Sequence, residues 1–196
     1  MDYNLLGAFI TFAFVSTITP GPNNIMLASS GANFGFQRTI PHMLGIGLGF
    51  SFMVILVGMG LIQVFDFYPT SYSILKAVSL AYLVYLAYKI ATTQDAKENK
   101  AQTKPLSFLQ AASFQWINPK AWTMALTAIS VYAPSHSFNA IVLCAGIFAL
   151  VNLPSVSFWT FMGQKSRQLL SNPARLRAFN IIMAGLLIAS IYPLLF

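Results

Sequence analysis

The chain has 196 residues, 57% of them hydrophobic and only 8% charged, where an ordinary soluble domain carries about 25% charged residues. A chain this short keeps much of its area in contact with solvent, so the apolar excess argues against a soluble domain and makes lipid the solvent. The net charge of +7 does not mark a nucleic-acid partner, because the basic residues stand in short gaps between apolar runs, as in the cytoplasmic loops of membrane proteins.

Six stretches reach the length of about 20 mostly apolar residues that a membrane-crossing helix needs: roughly 4–32, 40–63, 72–91, 107–131, 138–162 and 178–195. Helices are expected, because lipid offers no partner for open strand edges. The runs are also too long and too evenly apolar for a membrane barrel. The first stretch is preceded by Asp2, not by a basic n-region, and reads as a retained membrane segment. It is interrupted by Thr19-Pro20-Gly21-Pro22-Asn23-Asn24. Proline removes a helical hydrogen bond and clashes with the preceding turn, yet it fits the first turn of a new helix. A broken helix is therefore expected here.

Arg38 marks the next gap. The second stretch opens with His42 and holds Gly45, Gly47 and Gly49, then Gly58 and Gly60. These small residues let helices approach closely, within one protomer by default or along a homodimer seam as the alternative. In the third stretch Tyr82, Tyr85 and Tyr88 share one helix face, read as packing or an interfacial belt. The longest polar gap, 92–105, carries Asp95, Lys97, Glu98, Lys100 and Lys104 and reads as a solvated linker. The fourth stretch is interrupted by Asn118-Pro119-Lys120, with Asn118 a candidate helix cap. Trp116 and Trp122 flank this break, as cavity wall or as interfacial residues. The fifth stretch holds the single cysteine, Cys144, read as a small core residue, and the pair Asn152 and Pro154, read as a hinge or further cavity wall. Lys165, Arg167, Arg175 and Arg177 lie in the gap 163–177.

Basic residues thus concentrate near 35, 98 and 170, which places those gaps in the cytoplasm and both termini outside. The chain reads as one transmembrane domain, 1–196, in two pseudo-repeats: about 1–95 and about 105–196. A shift of 99 positions superimposes the segments, with Pro20 on Pro119, Gly47 on Gly146 and Lys76 on Arg175. Three crossings per copy invert the second copy. The fold class is therefore all-α, a polytopic membrane protein with a 3+3 inverted repeat whose first and fourth helices are broken, the plan of many secondary transporters.

Each break lies about 20 Å along its helix, near the middle of a core about 30 Å thick. Fresh helix N-termini carry unpaired N–H groups and partial positive charge, and Lys120 adds a full one. All four acidic residues (Asp2, Asp66, Asp95 and Glu98) fall at ends or in loops. Lys120 is thus expected to face a wet cavity or carbonyl oxygens. Thr19, Pro20, Gly21, Pro22, Asn23, Asn24, Asn118, Pro119 and Lys120 form the candidate binding site for a carboxylate. The alternative is that each proline only kinks its helix and Lys120 snorkels. His42 is the candidate for a proton or gating role, against the plainer reading of an interfacial histidine.

Thr19-Pro20-Gly21-Pro22 followed by the small-residue segment Gly35 to Gly49, and Asn118-Pro119-Lys120-Ala121, resemble the two signatures of the LysE/RhtB family of amino-acid exporters. The resemblance extends over the whole chain in size, segment count and mid-chain linker. It implies a bacterial inner-membrane protein that exports amino acids or their derivatives, driven by the proton gradient or by the substrate's own. Asn23 and Asn24 stand where many members carry Asp, which disfavours a basic substrate. Pro-Gly-Pro-Asn-Asn is similar to the branch that exports cysteine and O-acetylserine.

The implied function is secondary export of a small neutral amino acid or derivative of the cysteine, O-acetylserine, homoserine or threonine type. The substrate carboxylate would meet N–H groups near Gly21, Asn23, Asn24 and Ala121, with Lys120. The ammonium would meet carbonyls near Thr17, Ile18 and Ile117, and the side-chain oxygens of Thr19 and Asn118. The competing readings are a passive channel or a structural membrane subunit. An enzyme is not expected: the chain has no nucleophile elbow, zinc-binding His pair or phosphate loop. No cofactor or metal is expected either. The partners are membrane lipid and the small-molecule substrate, with a homodimer as an alternative to the monomer.

Overall fold

The computed structural model describes residues 3–61, 67–92, 104–133, 137–170 and 172–190, all of them in helices or short connections. Helix α1 (Tyr3–Ile18) breaks into α2 (Pro22–Phe34), and α3 (Phe36–Leu56) follows after one residue, running on into a wide turn at Val57–Leu61. Helix α4 spans Pro69–Ala91. The second half opens with α5 (Phe108–Phe114), a tight turn at Gln115–Ile117 and α6 (Pro119–Thr127), which widens over Ala128–Tyr132. It ends with α7 (Phe138–Leu169) and α8 (Pro173–Ala189). Asp66 and the linker residues Asp95, Lys97, Glu98 and Lys100 lie outside the described residues, as does Asp2.

Every second helix starts on a proline: Pro22, Pro69, Pro119 and Pro173 stand in the first turns of α2, α4, α6 and α8. There the missing N–H costs nothing and the fixed φ suits the helix. The restart of α2 is at Pro22, two residues beyond Pro20, the proline that the 99-residue shift aligns with Pro119. Between α2 and α3 the chain reverses on Gly35 alone, at φ 82, a left-handed backbone that favours glycine.

Among the described residues, three helical stretches are long and apolar enough to cross a membrane: Phe36–Leu61, Ser73–Ala91 and Phe138–Ser166. The pair α1–α2, bent by 52°, adds a fourth if it is one broken span. The stretch 107–131 is not one helix but α5, a turn and α6, and α8 has 17 described residues. Large apolar side chains point outward all round, among them Phe14, Phe52, Val84, Leu150, Leu153 and Ile182. A surface of this kind matches lipid.

Helix α2 is the centre of the molecule. Eleven of its residues, from Pro22 to Asn33, are buried, and it packs on α7, α3 and α8. Glycines make the α2–α7 contact close. A Cβ on Gly31 would overlap the Thr160 carbonyl, and one on Gly163 would overlap the Ala28 carbonyl. Asn33 and Asn180 exchange amide hydrogen bonds at 2.8 and 3.2 Å, tying α2 to α8. Gly45 and Gly49 serve α3 in the same way, against Phe108, Ala111 and Ala112 of α5. Their face is thus occupied inside the protomer and is not open as a homodimer seam.

Candidate functional site at two helix breaks

Thr19, Pro20 and Gly21 separate α1 from α2. The restart at Gly21 has extended backbone and no side-chain cap. The break strips the last carbonyls of α1 of their helical partners, and distant side chains replace them. Thr17 O accepts from Asn24 Nδ2 at 2.7 Å and from Ser155 Oγ at 2.8 Å. Ile18 O accepts from Trp159 Nε1 at 3.0 Å. Thr19 O accepts from Asn24 Nδ2 at 2.8 Å and from Lys120 Nζ at 2.9 Å. On the α2 side, the first intrahelical bond runs from Ile25 N to Gly21 O at 3.0 Å. The N–H groups of Asn23 and Asn24 precede it and lie beyond the reach of the helical ladder.

The second break looks after itself. Asn118 is extended, at φ −91 and ψ 108, and its side chain accepts from Lys120 N at 3.2 Å. Its carbonyl accepts from Ala121 N and Trp122 N. The N–H of Ala121, an expected carboxylate donor, is therefore already engaged.

Two bridges join the breaks. Lys120 Nζ, from the second, donates to Thr19 O and Thr19 Oγ1, both at 2.9 Å, with Pro20 O at 3.5 Å. The expectation that Lys120 turns to carbonyl oxygens matches this geometry. Asn23 and Gln115 exchange amide bonds at 2.8 and 3.2 Å. Gly21 gives Lys120 its path: a Cβ there would stand 2.9 Å from Lys120 Cδ. Between these groups lies a cavity of about 30 Å³, lined among others by Thr17, Asn24, Phe50, Asn118, Lys120 and Asn152. That is room for one water and not for an amino acid.

The structure therefore gathers Gly21, Asn23, Asn24, Asn118 and Lys120 round one cavity, with Thr19 bonded to Lys120 and Pro20, Pro22 and Pro119 shaping the breaks. Asn152 joins them; Pro154 does not. It lies exposed on the outer face of α7, which continues through it as one helix. Trp116 and Trp122 pack edge to face at 6.3 Å, Trp122 donates to Trp116 O at 2.8 Å, and neither lines the cavity. His42 lies elsewhere, buried on the wall of a second, larger cavity. Cys144 is buried in the core. Sequence reasoning missed Gln115, Ser155 and Trp159. Gln115 carried a signal: an amide side chain in an apolar run, three residues before Asn118. Ser155 and Trp159 carried none, because their partners are carbonyls on another helix.

The LysE-type translocator model matches residues 14–191. Among similar proteins are cysteine/O-acetylserine efflux proteins of Escherichia coli. Those of O157:H7 and of strain K12 are 33% and 31% identical to this chain over 192 residues, 96% of each chain. No solved structure matches. The match over most of the length, with both helix breaks inside it, shows that the chain belongs to the LysE-type translocator family.

Proposed function

We propose that this chain is a secondary transporter that exports a small neutral amino acid or derivative from the cytoplasm, of the cysteine, O-acetylserine, homoserine or threonine type. The observation that carries the reading is the Lys120 ammonium, which belongs to one helix break and rests on the carbonyl of the other. The family and the names of its relatives support amino-acid export. A 3+3 inverted repeat with six crossings supplies the frame. Its support is that corresponding helices of the two halves pack on each other, α3 on α7 and α4 on α8.

Binding is an exchange of partners. The substrate carboxylate takes Lys120 together with the N–H groups of Asn23 and Asn24. The substrate ammonium takes the Thr19 oxygens that Lys120 gives up. Thr17 and Ile18 are served by Asn24, Ser155 and Trp159, so Thr19 is the acceptor that changes hands. A zwitterion leaves no charge unpaired in this exchange, whereas a second substrate cation would find amides at Asn23 and Asn24 and no carboxylate. The cavity must widen to admit the substrate, and rocking of one half against the other provides that. The basic end of the fold, with Arg38, Lys89, Lys104 and Lys165, is cytoplasmic by the positive-inside rule, and both termini are outside.

The test is uptake of labelled cysteine, O-acetylserine, homoserine, threonine, leucine and lysine into inside-out vesicles, for wild type and Lys120→Met. A hydrogen-bonded charge contributes about 1.5–3 kcal/mol, so the variant should lose about 10- to 100-fold of its apparent affinity for one small neutral compound. Wild-type rates from well-inserted Lys120→Met would remove Lys120 from the mechanism. Non-saturable uptake that runs only down the substrate's own gradient and ignores the proton gradient would favour a channel.

A further inference from the structure

We propose that the cavity of about 520 Å³ at the basic end of the fold is a second binding site for the zwitterion, occupied before the substrate reaches the two breaks. The inference rests on the exporter reading.

The cavity has the size of a small-ligand pocket. Its walls come from α2 (Met26, Ser29, Ser30), α3 (His42), α4 (Lys89) and the segment before α5 (Lys104). It follows α2 inward from Phe34 to Met26. Asn23, one helical turn further on, lines the small cavity between the breaks. Met26 packs in one cluster with Phe114, and Gln115, next in sequence, bonds to Asn23. One turn of α2 and the Phe114–Gln115 corner therefore separate the two spaces.

The wall offers both halves of a zwitterion site. Lys104 and Lys89 supply positive charge for a carboxylate. Thr39 Oγ1 donates to Gly35 O at 2.8 Å, so in the Ser30–Thr39 contact at 2.9 Å Ser30 is the donor. The lone pairs of Ser30 Oγ are left as acceptors for an ammonium. His42 adds the independent sign of a ligand. Its side chain is 1% exposed, yet neither ring nitrogen has a hydrogen-bond partner among the described residues. Buried polar atoms are nearly always paired, and leaving one unpaired costs stability. A neutral imidazole carries one lone pair, and a small turn of the ring toward the cavity would offer it to the substrate ammonium. Lysines hold the carboxylate at the mouth, and His42 with Ser30 holds the ammonium further in. The ammonium thus leads toward the Thr19 oxygens.

The experiment is equilibrium binding of reduced [35S]cysteine to the purified full chain in nanodiscs, with uptake into vesicles measured alongside. Two sites per chain are expected for wild type. Lys120→Met should keep only the larger cavity's site, and Ser30→Leu only the site at the breaks. Lys104→Gln, at an exposed position outside the helices, should weaken the larger cavity's site about tenfold, the value of one charged contact. One site per chain in a transporting wild type, abolished by Lys120→Met, would overturn the second site and leave the exporter reading intact. Absence of both binding and uptake in wild type would overturn the cysteine-type substrate and the second site with it.

Discussion

The two helix breaks look alike in sequence and differ in how they are held. Both restart on a proline after an extended residue. The second break closes its accounts within five residues, through the side chain and carbonyl of Asn118. The first has no cap and borrows Ser155 and Trp159 from α7 and Lys120 from α6. A locally capped break keeps its shape whatever its neighbours do. A break that depends on distant donors changes when those donors move, and a substrate can compete for them. The first break is thus the adjustable wall of the site and the second its fixed wall.

The largest effect should come from unseating the first break altogether. Gly163→Ala sets a Cβ on the Ala28 carbonyl, where backbone on both sides leaves no flexible atom to yield. Pushing α7 from α2 withdraws Ser155 and Trp159 together. Overpacking of this kind costs about 3 kcal/mol, less the gain of up to about 1 kcal/mol from replacing a helical glycine. Gly146→Ala is the control on the same helix, since a Cβ there meets nothing within 4 Å. Thermal unfolding in detergent should show Gly163→Ala well below wild type and Gly146→Ala at or above it. Equal midpoints would mean that the α2–α7 seat is not what holds the first break.

Next comes Asn24→Leu, which keeps volume and removes the two bonds to Thr17 O and Thr19 O. Both carbonyls retain one partner, Ser155 and Lys120 respectively, so neither is left unsatisfied and the expected loss is about 1–1.5 kcal/mol. The same melting assay reads it. Asn24 then no longer fixes the Thr19 carbonyl in place for the substrate ammonium that replaces Lys120, so apparent affinity for substrate should fall as well. A loss of stability with unchanged affinity would separate Thr19 from substrate binding.

The helices and both breaks were legible because proline and long apolar runs act locally: each prohibits or permits a helix within a few residues. Elimination left Lys120 either a wet cavity or carbonyl oxygens, since no acidic residue falls within the apolar stretches; the fold gives it the Thr19 carbonyl at the edge of a small cavity. The carbonyls of Thr17 and Ile18, expected to meet the substrate, are instead served from residues 138 and 141 positions away. No local pattern encodes such a pairing. Pro154 shows the converse: a strong local signal that membrane helices tolerate, here on the outer face of α7 and away from the site. Gly45 and Gly49 marked a close helix contact correctly, but only the fold says that α5 fills it.

The smallest effect belongs to the second break, and there the direction of rescue matters more than the size. Asn118→Ala removes a cap and should cost about 1 kcal/mol. Asn118→Ser keeps a side-chain oxygen over Lys120 N and should restore most of it, because any good N-cap residue suffices where the contact is local. Asn24→Ser should rescue nothing at the first break, because a serine hydroxyl brings one hydrogen and a shorter reach where Asn24 spans two carbonyls. Four melting midpoints, from alanine and serine at each position, thus test whether one break is self-sufficient and the other is not. Rescue by serine at both positions would make the first break as local as the second. The adjustable wall would then have to be sought on the Lys120 side.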